Sequence, residues 1–145
     1  MAIGLMSATA TVCETAGWSA SNLEVQKLLY LSHMKFLGRN DGRPLISRNF
    51  EAWKYGPVVP ELYHRLKAFG NKAVGDIFLV TRNQELTEHK VIRRVVRHFS
   101  HMSPGELVER THEPDGAWDQ YYDPESYGIV IPNSVILLEY RGNPF

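Results

Sequence analysis

The clearest period in the chain lies between Thr87 and Met102. At about 100° per residue, Val91, Ile92, Val95, Val96, Phe99 and Met102 gather on one side, while Lys90, Arg94, Arg97 and His101 gather on the other. That pattern predicts an amphipathic helix. A second predicted helix runs from Ser21 to about Leu37. Leu23, Tyr30, Met34 and Leu37 recur at helical spacing, Leu28 and Leu31 broaden the apolar surface, and Ser21 with Glu24 forms a capping box. Gly38, Asn40, Asp41 and Gly42 stop it. A weaker helix, diluted by threonines, is expected near Ser7 to Ala16. Pro60 suits the first turn of a helix reaching Phe69, with Leu62, Tyr63, Leu66 and Phe69 on one face and Gly70 as its C-cap. Ser103-Pro104-Gly105-Glu106 is a complete helix-start signal, leading to about Thr111. Pro132 opens a last short helix, whose unbroken run Val135–Leu138 leaves its buried face undefined.

Between these helices the pattern is not helical. Residues 43–58 read as an extended segment leading into a turn at Gly56-Pro57. Ile77–Val80, bounded by Gly75-Asp76 and Arg82-Asn83, reads as a strand or a loop tucked onto the core. Residues 113–128 read as an acidic, aromatic loop. There is no internal repeat. The fold class expected is mainly α: one compact helical domain over residues 1–145, with at most a short two-stranded β element.

Composition narrows the classes. The 145 residues suit one domain, and 43% hydrophobic with 22% charged residues is the balance of a folded chain. The single Cys13 excludes an intrachain disulfide, a zinc ribbon and a CxxC redox site. No apolar run approaches the ~20 residues of a membrane span, and the N-terminus lacks the basic region of a signal peptide, so a cytoplasmic protein is expected. The formal net charge is zero, from 16 basic and 16 acidic residues, but it is unevenly spread. Residues 43–97 hold 11 bases against five acids, and residues 106–125 hold seven acids against one base.

Several chemistries are open to these residues. His98 and His101 lie three apart on one predicted helix, but no HExxH or paired Cys/His motif completes a metal site, so no metal or cofactor is expected. Thr111-His112 followed by Asp115 and Asp119 offers a base and an orienting acid. With no GxSxG elbow, P-loop or GxGxxG, a structural or binding role for His112 is favoured over a hydrolase. Lys90, Arg93, Arg94 and Arg97 form a stripe able to track phosphates. Glu85 and Glu88 dilute it and no helix-turn-helix spacing surrounds it, so nucleic acid is not the favoured partner. The most unusual stretch is Phe50–Tyr63, with four aromatics, two prolines and Gly56. Rigid loops bearing Trp and Tyr anchor partners well, and the same residues also fill cores; composition leaves both readings open.

That stretch resembles the signature of the Panacea domain family, antitoxins related to SocA. The family shows Lys-Leu-Leu-Tyr-Leu-x-His, then Pro-Leu, then Phe-x-Ala-Trp-x-x-Gly-Pro-Val-x-Pro-x-x-Tyr. Here these stand as Lys27–His33, Pro44-Leu45 and Phe50–Tyr63. Leu107, Thr111-His112, Trp118, Ile131 and Ile136 are similar to the family's later positions, so the likeness covers residues 22–138 in order. One departure is Gly116-Ala117-Trp118, where the family often has Gly-Pro-Trp. The resemblance implies a mostly helical, non-enzymatic protein that neutralises a co-encoded protein toxin by binding it. For SocA-like members it also implies a proteolytic adaptor that delivers the toxin to ClpXP. Trp53, Gly56, Pro57, Val58, Pro60, Tyr63, Thr111, His112 and Trp118 are then the family-signature candidates for toxin binding. Glu113, Asp115 and Asp119 are a candidate acidic partner surface, and Lys90, Arg93, Arg94 and Arg97 a basic one. A DNA-binding regulator using the basic helix, and a hydrolase centred on His112, stand as the alternatives.

Overall fold

The computed structural model describes residues 2–80 and 85–145; Arg82-Asn83, read above as a boundary, lies outside them. Among the described residues the helices are α1 (Leu5–Thr15), α2 (Asn22–Arg39), α3 (Pro60–Leu66), α4 (Thr87–His98), α5 (Pro104–Thr111), α6 (Ala117–Tyr121) and α7 (Asn133–Gly142). The strands are β1 (Phe50–Trp53), β2 (Gly56–Val58) and β3 (Val130–Ile131), in the order β2-β1-β3. The fold is mainly α.

Helix α2 is the hub. Its capping box is formed as the sequence predicts: Ser21 Oγ accepts from the Glu24 N–H at 3.3 Å and Glu24 Oε1 accepts from the Ser21 N–H at 3.1 Å. The helix packs against α1, α4, α5, α7 and β2, so 13 of its 18 residues are buried. A helix buried all round must satisfy its polar side chains inside the protein. Ser32 Oγ donates to the Leu28 carbonyl at 2.8 Å, and His33 Nε2 meets Asn133 Oδ1 of α7 at 2.9 Å. Helices α2 and α7 approach so closely at Gly38 that a Cβ there would run into the Tyr140 ring.

Helix α1 contributes more than its sequence promises. Thr9, Thr11 and Thr15 donate their hydroxyls to the carbonyls four residues back, at 2.8, 3.0 and 2.7 Å. Each hydroxyl is satisfied within the helix, so Thr9 and Thr11 can be buried beside Ala8, Ala10 and Val12. Helix α1 packs on α2 and α4.

Three elements differ from their sequence readings. The sheet has a third strand: β3 pairs antiparallel with β1, Phe50 opposite Ile131 and Glu51 opposite Val130. Two residues carry too little alternation to be read as a strand. Helix α4 ends at His98 instead of Met102; Phe99 caps it and Ser100 Oγ turns back onto the Arg97 carbonyl at 2.9 Å. The 113–128 stretch is not wholly loop, because α6 forms within it. The 77–80 run is a loop: Phe78 is buried and stacks toward Trp18, while Leu79 is exposed.

Candidate functional site

The signature stretch forms a hairpin. β1 pairs antiparallel with β2, Trp53 opposite Gly56, leaving Lys54-Tyr55 as an exposed tip. Helix α2 clamps the outer edge of β2. Lys27 Nζ donates to the Pro57 carbonyl at 2.9 Å, and Gln26 Oε1 accepts from the Val59 N–H at 3.0 Å. Gly56 has φ +118°, a backbone that side-chain-bearing residues rarely adopt, and it lies against Lys27 and Thr111. Pro60 then opens α3 at its first position.

Lys27 is the unusual member of this clamp. It is fully buried, and among the described residues no carboxylate pairs with it. Burial alone pushes its amine down from 10.5 to about 7. Its charge and, more strongly, burial also lower the proton affinity of His112, with Asp119 acting in the opposite direction.

The second half of the signature joins the first through an aromatic stack. The His112 and Trp118 rings lie parallel, centroids 3.5 Å apart, and Tyr122 continues the stack 4.7 Å from Trp118. Trp118 Nε1 donates to the Trp53 carbonyl at 2.7 Å, which ties α6 to the hairpin across 65 positions of sequence. Beneath the stack, Glu139 of α7 holds the start of α6: its Oε1 accepts from the Ala117 N–H at 2.7 Å. Its Oε2 lies 3.9 Å from Arg110 Nη1. Burial raises the Glu139 carboxyl above its ordinary value, while the Ala117 N–H and Arg110 pull it the other way. A proline at position 117, frequent in the family pattern, has no N–H to give; the departure at Ala117 is matched by a buried acceptor.

The structure therefore sorts the signature residues. Gly56, Pro57, Val58, Thr111 and Trp118 are buried and build the hairpin and its supports. Trp53, Pro60, Tyr63 and His112 are partly exposed. Trp53 packs on Tyr63, centroids 5.0 Å apart, and its Nε1 donates to Glu51 Oε1 at 3.0 Å. It walls two clefts. One, of about 610 Å³, lies between the hairpin and the start of α2; the other, of about 670 Å³, lies between β1, α3 and the 122–128 loop.

Among the described residues no ion pair joins the two charged segments. Asp115 and Asp119 are exposed and Glu113 is half-buried; Asp115, at φ +61°, gives its N–H to Asp119 Oδ2 at 2.9 Å. Glu113 and Asp115 border a shallow hollow of about 280 Å³, as does Leu138 of α7, which is 63% exposed. On α4, Lys90, Arg94 and Arg97 are exposed and Arg93 is half-buried; Lys90 Nζ lies 3.7 Å from Glu85 Oε2. The base-and-acid pair expected of a hydrolase is not assembled. Asp119 Oδ2 accepts from the Asp115 N–H, and His112 Nε2 is buried without a hydrogen-bond partner, so no hydrogen bond joins the two. Among the described residues no group of three or more His, Cys, Asp or Glu is placed to hold a metal ion, and no helix is long and apolar enough to cross a membrane.

Sequence reasoning missed the supports Gln26, Arg110 and Glu139, and read Lys27 only as the first residue of the Lys27–His33 motif. Lys27 had a readable signal. It falls between Leu23 and Tyr30 in the 23, 27, 30, 34, 37 progression, where an apolar residue belongs.

Residues 25–119 match the family described as Antitoxin SocA-like, Panacea domain, and the chain belongs to that family. It is similar to Antitoxin SocA of Caulobacter vibrioides (strain NA1000 / CB15N), 39% identical over 110 residues, covering 68% of this chain and 58% of that protein. The chain thus spans less than two thirds of that relative's length. No solved structure matches it significantly.

Proposed function

We propose that this protein is an antitoxin that neutralises a co-encoded protein toxin by binding it directly. The observation that carries this reading is the family match across residues 25–119, whose motif residues converge on one tethered hairpin and its aromatic stack. The toxin-facing surface proposed is the acidic one. Glu113 and Asp115 border a hollow that also exposes Leu138, an apolar anchor beside two acidic side chains. Such a surface suits a basic partner: the apolar group supplies affinity, and the charge supplies orientation and association rate. Trp53 and Tyr63, half-buried beside the hairpin tip, are the proposed second contact. Delivery of the bound toxin to ClpXP, in the cytoplasm, is the proposed mode of neutralisation.

The test is co-expression with the neighbouring gene product. Glu113→Lys with Leu138→Glu changes two side chains at the hollow and leaves Asp115 in its left-handed turn. The double variant is expected to keep its helical circular dichroism and to lose both co-purification and protection. Full protection by the folded variant refutes this surface. Failure of the unaltered protein to protect refutes the antitoxin reading itself. A toxin whose lifetime is the same with and without ClpX refutes delivery to the protease.

A further inference from the structure

The cleft of about 610 Å³ beside the hairpin is not used by the acidic surface, and its chemistry is opposite in sign. Its volume falls within the ~300–1,000 Å³ of small-ligand sites. Lys27, Lys54 and Lys67 line it, with the aromatic rings of Trp53 and Tyr63. The single lining carboxylate, Glu24, is already engaged by the Ser21 N–H and Ser21 Oγ, each at 3.1 Å. The N-terminal residues of α2 and α5 also border it, and helix N-termini add positive potential.

Two features make this more than a basic surface. Lys27 is fully buried, uses one donor on the Pro57 carbonyl, and has no carboxylate partner among the described residues. Burial divides the Lys27 amine between its charged and neutral forms near neutral pH, and an anion in the adjacent cleft favours the charged form. Trp53 and Tyr63 offer apolar ring surface beside the lysines, where a flat group can stack. We infer that this cleft binds a small ligand that joins a flat aromatic ring to an anionic group, the ring against Trp53 and Tyr63 and the anion toward Lys54, Lys67 and the buried Lys27. A nucleoside monophosphate and an aromatic carboxylate both carry that chemistry. The site lies away from the acidic surface but shares Trp53 and Tyr63 with the proposed second toxin contact; because its test uses the chain without toxin, it stands or falls without the toxin reading.

The test is calorimetric titration of the full chain, with amide and indole chemical-shift mapping. The probes are AMP, indole-3-acetate, adenosine and inorganic phosphate. At least one ring-bearing anion is expected to bind with shifts at the Trp53 indole and around Lys67, about tenfold or more tighter than adenosine or phosphate alone. Tighter binding of AMP assigns a nucleotide, and tighter binding of indole-3-acetate assigns a carboxylate. Lys54→Ala with Lys67→Ala changes two exposed side chains, spares the fold, and is expected to weaken binding about tenfold. Arg94→Ala on the remote basic helix is expected to change nothing. The inference is overturned by any of four results: neither ring-bearing anion binds at millimolar concentration; phosphate alone binds as tightly; the shifts lie elsewhere; or the lysine double variant binds as well as the unaltered chain.

Discussion

The junction where β2 meets α2 is close-packed, and Gly56→Ala tests it. Two costs add there. The φ of +118° lies outside the region open to alanine, and holding a side-chain-bearing residue in such a region costs ~1–3 kcal/mol. The added Cβ would also stand 2.6 Å from Lys27 Cε, 2.9 Å from Thr111 Oγ1 and 3.1 Å from Lys27 Cδ. A flexible lysine tip would swing away, but this one is tied to the Pro57 carbonyl one residue along, and Thr111 Oγ1 is held by the Val108 carbonyl at 2.9 Å. Overpacking of a site that cannot yield costs ~1–3 kcal/mol more. The expected loss is therefore about 4 kcal/mol, a large share of the ~5–15 kcal/mol that holds a small domain folded. Urea unfolding followed by tryptophan fluorescence reads it as a lower midpoint with an unchanged slope. Gly105→Ala in α5 is the matched control. A Cβ there meets nothing within 4 Å, and helix propensity makes it neutral or up to ~1 kcal/mol stabilising. A Gly56→Ala loss within about 1 kcal/mol of zero, or a Gly105→Ala loss of equal size, refutes the reasoning.

Two further outcomes follow from the supports of the hairpin and the stack. The Lys27 amine ionises near 10.5 unfolded and near 7 folded, so between those values the unfolded chain binds more protons and stability rises with pH. That contribution reaches at most about 1.4 kcal/mol per pH unit and is absent below pH 7, where the full burial cost is already present. Lys27→Met is expected to rise less steeply with pH than the unaltered chain, read from urea midpoints across that window; parallel pH profiles would sink the assignment. At Ala117 the preceding Gly116 is already extended, at φ −76° and ψ −178°, so a proline at the first position of α6 meets no backbone conflict. Ala117→Pro removes the N–H given to Glu139 and sets the ring Cδ where that hydrogen pointed, so Glu139 Oε1 must withdraw; the expected cost is at least ~1–3 kcal/mol. In a Glu139→Leu background that cost should vanish, and a double-mutant cycle showing no coupling contradicts the pairing.

How far the sequence carried depended on how local each signal was. Both capping boxes, at Ser21-Glu24 and Ser103-Glu106, formed as read, because every atom of a cap lies within one turn of its own helix. Pro60 opens α3 for the same reason. The amphipathic α4 was legible because its wet face faces water. Helix α2 was only half legible: other elements surround it, so Gln26, Lys27, Ser32 and His33 are buried although their residue types suggest a wet face. The third strand and α6 were missed because they are two and five residues long and exist through long-range partners, β1 for one and Glu139 for the other.

The residues alone determined the helical class, the helix starts and the family, through a Trp-x-x-Gly-Pro-Val signature that needs no coordinates to be read. They also determined that charge is divided between a basic middle and an acidic stretch. Only the tertiary structure decided what the signature does. It buries Gly56, Pro57 and Val58 as scaffold, leaves Trp53 and Tyr63 half exposed between clefts, and joins Trp118 to Trp53 across 65 positions. It also shows the two charged segments unpaired with each other among the described residues. The reason is physical: a cap or a period is set by neighbours along the chain, whereas burial, counter-charge and cleft are set by whatever the fold brings alongside.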